Sequence, residues 1–274
     1  MELTIAELFK VIIIGIVEGV TEWLPISSTG HMILVDELIT LQVSQKFKDM
    51  LLVVIQLGAI LSVVAMNFTR LNPWADGKSR HEKNRTIILW YKVIVATMPA
   101  GVIGLLFDEY VEEHFMTAAV VAVTLIVYGV LFILVENYNK RRKPCVTSLE
   151  LLDYKTAILI GCFQVLALIP GTSRSGATIL GGMLCGVSRM VVTEFTFFLA
   201  IPVMFGASIL KLLKFGVSYS VAEFVILFVG MVVAFIVSVL SIKCLLKYIR
   251  NNDFKAFGYY RIILGVAVLF CLVL

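Results

Sequence analysis

The chain has 274 residues, 60% of them hydrophobic and 15% charged, with a formal net charge of +4 and a mean hydropathy of +0.98. A soluble domain of this size fills its core with about 45–50% apolar residues, so the surplus must face lipid, and a water-soluble protein is excluded. The five cysteines (Cys145, Cys162, Cys185, Cys244 and Cys271) form no CxxC pair, which argues against a zinc site or a disulfide framework.

In chain order, Met1-Glu2-Leu3-Thr4 lacks a basic stretch and a small-residue cleavage site, so no removable signal peptide is expected. The first apolar segment, 5–43, is interrupted midway by a Pro/Gly/Ser/Thr cluster. Spanning helices are expected near 49–67, 86–107 and 116–136. A second interrupted segment, 154–188, follows, and then spans near 190–214, 220–247 and 257–274. The stretches Met116 to Val135 and Phe224 to Ile242 carry no charge at all, and each matches the roughly 20 residues that cross a bilayer core. Irregular backbone at membrane depth persists only inside protein or beside a wet cavity. Both interrupted segments are therefore expected to be re-entrant helix–loop–helix hairpins. The fold class is an all-α polytopic membrane protein, one integral membrane domain over 1–274.

The basic residues sort to alternate loops. Arg70, Lys78, Arg80, Lys83, Arg85 and Lys92 flank one, the run Lys140 to Lys143 with Lys155 a second, and Lys243, Lys247, Arg250 and Lys255 a third. The opposite loops hold only Lys46, Lys48, Lys211 and Lys214. That bias puts the basic loops in the cytoplasm. It puts the acidic turn Asp108, Glu109, Glu112, Glu113, the loop at 215–219 and both termini outside.

The interrupted segments resemble each other. Gly15 falls on Gly161, Ser27 on Ser173 and Gly30 on Gly176, with Pro25 and Pro170 one residue out of step. Three spans follow each hairpin, so the second copy starts on the opposite side of the membrane. The expectation is an inverted-topology repeat, 1–145 and 146–274, with a site where the two broken helices meet.

The first hairpin reads EGVTEWLPISSTGH over 18–31. Glu18 and Glu22 project from one helical face, and two such carboxylates in a membrane need a cation, a basic partner or a shared proton. The break supplies hydroxyls and free backbone N–H groups at the next helix start, where anions are favoured. His31 is suited to proton transfer near neutral pH. The second hairpin reads PGTSRSGAT over 170–178, where Arg174 is the sole charge between Lys155 and Arg189. Its planar fork matches phosphate oxygens. Acid, base, hydroxyl and cation are the parts that phosphoryl transfer needs.

These two motifs, with TEFTFFLAIP at 193–202, resemble the bacterial undecaprenyl-diphosphatase family linked to bacitracin resistance, over essentially the whole chain. The resemblance implies hydrolysis of undecaprenyl diphosphate to undecaprenyl phosphate and inorganic phosphate, recycling the carrier of cell-wall polymers. It implies a location in the bacterial inner membrane, a site opening to the periplasmic side and a divalent cation, Mg2+ or Ca2+. Glu18 and Glu22 match the family's acidic pair and its metal-binding positions. Ser27 and Ser28 match the serine run, His31 the histidine, and Ser173, Arg174 and Thr178 the phosphate-binding loop. The nucleophile stays open between Ser28 and an activated water. The expected partners are a lipid-linked diphosphate and membrane lipid, with no nucleic acid; a homodimer is left open. A transporter that flips the polyprenyl phosphate carrier is the alternative, because broken-helix repeats also build transporters.

Other polar residues read as structural. Gln56 and Gln164 look like interhelical glue, Thr29 and Ser175 like turn residues, and Glu194 like an acid complementing a helix start. Phe195-Thr196-Phe197-Phe198 reads as packing or a lipid-facing surface, and Tyr259-Tyr260-Arg261 as an interfacial anchor.

Overall fold

The structure is a computed structural model that describes residues 4–216 and 220–273, with the side chains of Asp108 and Glu112 left out. Residues 1–3, where no signal peptide is expected, and 217–219 of the expected outer loop thus lie outside the described residues, as do those two acidic side chains.

Eleven helices make up the described chain. The first interrupted segment forms α1 (Ile5–Thr21) and α2 (Ser28–Leu38), and α3 (Gln45–Met66) and the single turn α4 (Phe68–Leu71) follow. Next come α5 (Arg80–Phe115) and α6 (Ala118–Asn139). The second interrupted segment forms α7 (Tyr154–Val165), a 3-10 turn (Leu166–Leu168) and α8 (Arg174–Leu184). The chain ends with α9 (Arg189–Phe215), α10 (Val221–Ile249) and α11 (Lys255–Leu272). Most starts carry the expected chemistry. Thr4, Ser44, Thr117 and Asp153 cap α1, α3, α6 and α7 through their side chains. Ser79 with Glu82 and Ser220 with Glu223 form capping boxes, which satisfy otherwise orphaned N–H groups.

Six of these helices are long and apolar enough to cross a membrane: α3, α5 through Phe107, α6, α9, α10 and α11. They match the six expected spans. One boundary differs. The acidic stretch at 108–115 is not a turn, because α5 runs on through it to Phe115. No glycine or proline falls between Leu105 and Phe115 to break the ladder of hydrogen bonds. Leu105, Leu106, Phe228, Leu240 and Ile263 are more than half exposed, as lipid-facing positions must be in a chain whose apolar surface exceeds its core.

The two ends of the bundle are identified by contacts. At the basic end, Lys92 donates to the carbonyls of Leu149 and Glu150, Arg70 forks onto Glu194 and Val146 bridges Val187. Arg189 pairs there with Glu136, whose buried carboxylate also accepts the N–H of Phe254 at 2.8 Å. At the other end Lys46 reaches the carbonyl of Phe215. Lys10 reaches that of Thr40, and Glu7 accepts the N–H of Gln42.

Each short helix pair returns to the end where it started. Both ends of α1–α2 lie at the Lys46 end, tied by the bonds from Lys10 to Thr40 and from Gln42 to Glu7. Both ends of α7–α8 lie at the basic end, where Cys145 donates to Gly186 and Asn139 to Met183. The surroundings exchange accordingly: α1 packs on α10 while α7 packs on α5, α3 lies against α9, and α6 against α11. The last contact is close. A Cβ on Gly129 would sit 2.7 Å from the carbonyl of Gly258, and one on Gly258 2.8 Å from that of Gly129. Small residues let helices approach in this way where lipid offers no hydrophobic drive.

Candidate active site

Both breaks are built alike. At Ser27 and Ser173 the backbone turns to positive φ, 74° and 68°, the two such non-glycine residues among those described. Each serine then caps the following helix, its Oγ accepting from the N–H of Gly30 (3.3 Å) or Gly176 (3.2 Å). Non-glycine residues enter this region only where surroundings hold them, and such positions cluster at functional sites. The hydroxyl of Ser173 donates in turn to Ser175 Oγ at 3.2 Å, whose own proton goes to the carbonyl of Leu24.

The breaks meet in the middle of the bundle. Arg174, first residue of α8, donates through Nη2 to Glu22 Oε1 at 2.8 Å and through Nη1 to the carbonyl of Thr196 on α9 at 3.2 Å. Glu22, at the end of α1, accepts on its other oxygen from Ser28 Oγ at 2.9 Å. These side chains are mostly buried, Glu22 at 8% and Arg174 at 12% exposure. Trp23, fully buried, lies with its ring 5.9 Å from the guanidinium and packs edge-on against Phe197. His31, one turn into α2, is held at both nitrogens. Nδ1 lies 2.7 Å from the carbonyl of Ser27, and Nε2 lies 2.7 Å from the hydroxyl of Tyr260 on α11. A carbonyl only accepts, so Nδ1 carries a proton.

The remaining expected residues sit around this core. Glu18, a turn before Glu22, is 1% exposed, and its Oε1 finds no partner. Thr178 is wholly buried behind Arg174, donating to the carbonyls of Arg174 and Ser175 and accepting from Thr196 Oγ1. Those bonds hold α8 on α9. Ser173 Oγ, besides capping, lies 3.2 Å from Ser175 Oγ.

Three readings need correction. Arg261 is no interfacial anchor: it is fully buried and donates to the carbonyl of Pro25 (3.3 Å) on one break and those of Gly171 (2.8 Å) and Thr172 (3.0 Å) on the other. A guanidinium satisfies carbonyls that the broken helices leave unpaired. Its neighbour Tyr260 serves His31, while Tyr259 is exposed. Ser175 is more than a turn residue, since its buried hydroxyl donates across to the carbonyl of Leu24 at 3.3 Å. Glu194 lies inside α9 and answers Arg70 rather than a helix start. Of the two readings of Phe195, Phe197 and Phe198, packing is the one the structure bears out, since all three are buried. The only advance signal for Arg261 was a charge amid an apolar span, and the adjacent tyrosines masked it.

The acidic pair suits a hard divalent cation. Glu18 and Glu22 supply carboxylate oxygens of the kind Mg2+ and Ca2+ prefer. A buried oxygen without a partner, as at Glu18, calls for a cation or a proton.

Fold and site together define a polytopic helical membrane protein whose charged groups are gathered, away from water, between two broken helix pairs. The profile of the family described as "Bacitracin resistance protein BacA" matches residues 11–267. The "Undecaprenyl-diphosphatase" of Desulfitobacterium hafniense is 60% identical, across 97% of this chain and 96% of that one. The proteins of the same name from Enterococcus faecalis and Acetivibrio thermocellus are 57% and 58% identical, across 98% and 96% of this chain and the same shares of theirs. The chain belongs to the bacitracin-resistance protein BacA family.

Proposed function

We propose that this protein hydrolyses undecaprenyl diphosphate to undecaprenyl phosphate and inorganic phosphate in the bacterial inner membrane. The observation that carries the reading is the 2.8 Å pair between Glu22 and Arg174, which joins the two breaks in one centre with Ser28 on its other oxygen. The names of the relatives, at about three-fifths identity and nearly full length, support the substrate.

The two helix pairs act as hairpins entering from opposite faces, each belonging to one half of an inverted duplication, 1–145 and 146–274. The matched positive-φ serines and exchanged packing partners support that reading. The basic end is cytoplasmic, and the substrate enters from the other side with its tail in lipid. Two of the five N–H groups of Arg174 are engaged, which leaves others for phosphate oxygens. A divalent cation, Mg2+ or Ca2+, held by Glu18 and Glu22, supplies further positive charge when bound. Ser28 donates its proton toward Glu22, which orients its lone pairs for attack on the terminal phosphorus. In the other route a water attacks there directly. In both, the bridging P–O bond breaks, undecaprenyl phosphate departs, and the proton released by the nucleophile passes to His31 Nε2, by way of Glu22 on the serine route. On the serine route, water then releases inorganic phosphate from Ser28.

The test is phosphate release from undecaprenyl diphosphate by purified protein in detergent. Glu22→Gln and Arg174→Ala, eluting as the wild type does, are expected to lose at least roughly 100-fold in turnover, as when one charge-stabilising donor is removed. Chelator is expected to stop the wild type, and Mg2+ or Ca2+ to restore it. Near wild-type turnover in the variants, or under chelator, would sink the roles assigned here.

A further inference from the structure

We propose that Tyr260 is a positioning residue for His31, fixing the direction of an imidazole whose Nδ1–H the Ser27 carbonyl sets and whose Nε2 takes a proton. This rests on the reading of His31 as the proton acceptor in diphosphate hydrolysis. Tyr260 stands on α11, far along the chain from the hairpin that carries His31, yet its hydroxyl lies 2.7 Å from Nε2. The two rings are within 8° of parallel, centroids 5.6 Å apart. The opposite nitrogen, Nδ1, meets the carbonyl of Ser27 at 2.7 Å, the residue that caps α2 in a positive-φ conformation.

The consequence follows from donor counting. The Ser27 carbonyl cannot donate, so Nδ1–H must. In the neutral ring Nε2 then carries the lone pair, and the phenol O–H donates to it. Which nitrogen of a histidine holds the proton is set by the bond at the other one, so the Ser27 carbonyl selects the tautomer, and the phenol, able to donate or accept, holds the direction of the ring. A ring held only by Ser27 could still rock about its χ angles. A ring held at both ends points its lone pair along one direction.

The phenol serves both states of the ring: it donates to the Nε2 lone pair while the imidazole is neutral, and its oxygen accepts from Nε2–H once the imidazolium has formed. Arg261, next in sequence, is anchored to both breaks, so the α11 segment that presents Tyr260 cannot drift from the hairpin it serves.

The experiment is Tyr260→Phe, which removes one oxygen from a side chain that is 44% exposed and should fold. Two arms are read. In the phosphate-release assay kcat is expected to fall roughly tenfold or more with KM within about twofold, as for loss of a group that orients a catalytic base. In the second arm the protein is labelled with 15N-histidine. Its three histidines are assigned with His31→Gln, and the His31 ring is expected to keep its Nδ1–H while the Nε2 resonance moves toward that of an unbonded nitrogen. Unchanged kcat overturns the proposal, and so does an unchanged Nε2 resonance. If the wild type released no phosphate, hydrolysis itself would fall, while the nitrogen spectrum would still decide whether Tyr260 fixes the ring.

Discussion

Ser27 and Ser173 show how single residues are spent at this site. Each holds a positive φ that costs a non-glycine residue of order 1 kcal/mol or more, and each offsets the strain by capping a helix. Glycine relieves the strain and forfeits the cap, a loss of a few tenths of a kcal/mol, while alanine forfeits the cap, about 1 kcal/mol, and keeps the strain. Ser27→Gly is therefore expected to unfold at higher temperature in detergent than Ser27→Ala, the two differing by roughly 1 kcal/mol. Equal midpoints would mean that the φ is not strained. Ser27, Ser28, Glu22, His31 and Arg174 were legible in the sequence, because so many polar groups in two apolar segments have no structural excuse. Thr196 was not, since its contribution to Arg174 is a backbone carbonyl, which every residue owns.

At the scale of elements, glycine positions decide which helices meet closely. Gly129 on α6 faces Gly258 on α11 so tightly that an added Cβ would meet both the Gly258 carbonyl and Ile262 Cγ1 at 2.7 Å. Gly101 on α5, by contrast, has open space where a Cβ would go. Gly129→Val is expected to cost about 1–3 kcal/mol through overpacking, read as a lower melting midpoint with weaker His31–Tyr260 alignment, because α11 carries Tyr260. Gly101→Ala should be neutral or slightly stabilising from helix propensity alone. A Gly129→Val protein as stable as Gly101→Ala would show that the α6–α11 approach is looser than described. The six spans and two breaks were readable because apolar length and helix breakers are local properties. The run of α5 to Phe115 departs from the expected turn because acidic residues, unlike glycine or proline, do not by themselves break a helix.

The whole molecule carries its basic loops at one end, and its two short helix pairs are tied at different ends, α1–α2 at the Lys46 end and α7–α8 at the basic one. A cysteine-free version carrying Asp76→Cys or Gln45→Cys separates those ends, as both positions are exposed. In intact cells a membrane-impermeant thiol reagent is expected to label Gln45→Cys readily and Asp76→Cys only after permeabilisation. Labelling of both from outside would remove the orientation and, with it, entry of the substrate opposite the basic loops.

Sequence alone determined that this chain lives in lipid, where it spans, where it breaks and which polar residues are too costly there to be idle. It did so because desolvation and helix breaking act on a residue wherever it stands. Tertiary structure alone decided who faces whom: Arg174 onto Glu22, Tyr260 onto His31, and Arg261 between both breaks. Those pairings join residues far apart along the chain, and only packing brings their atoms within hydrogen-bond reach.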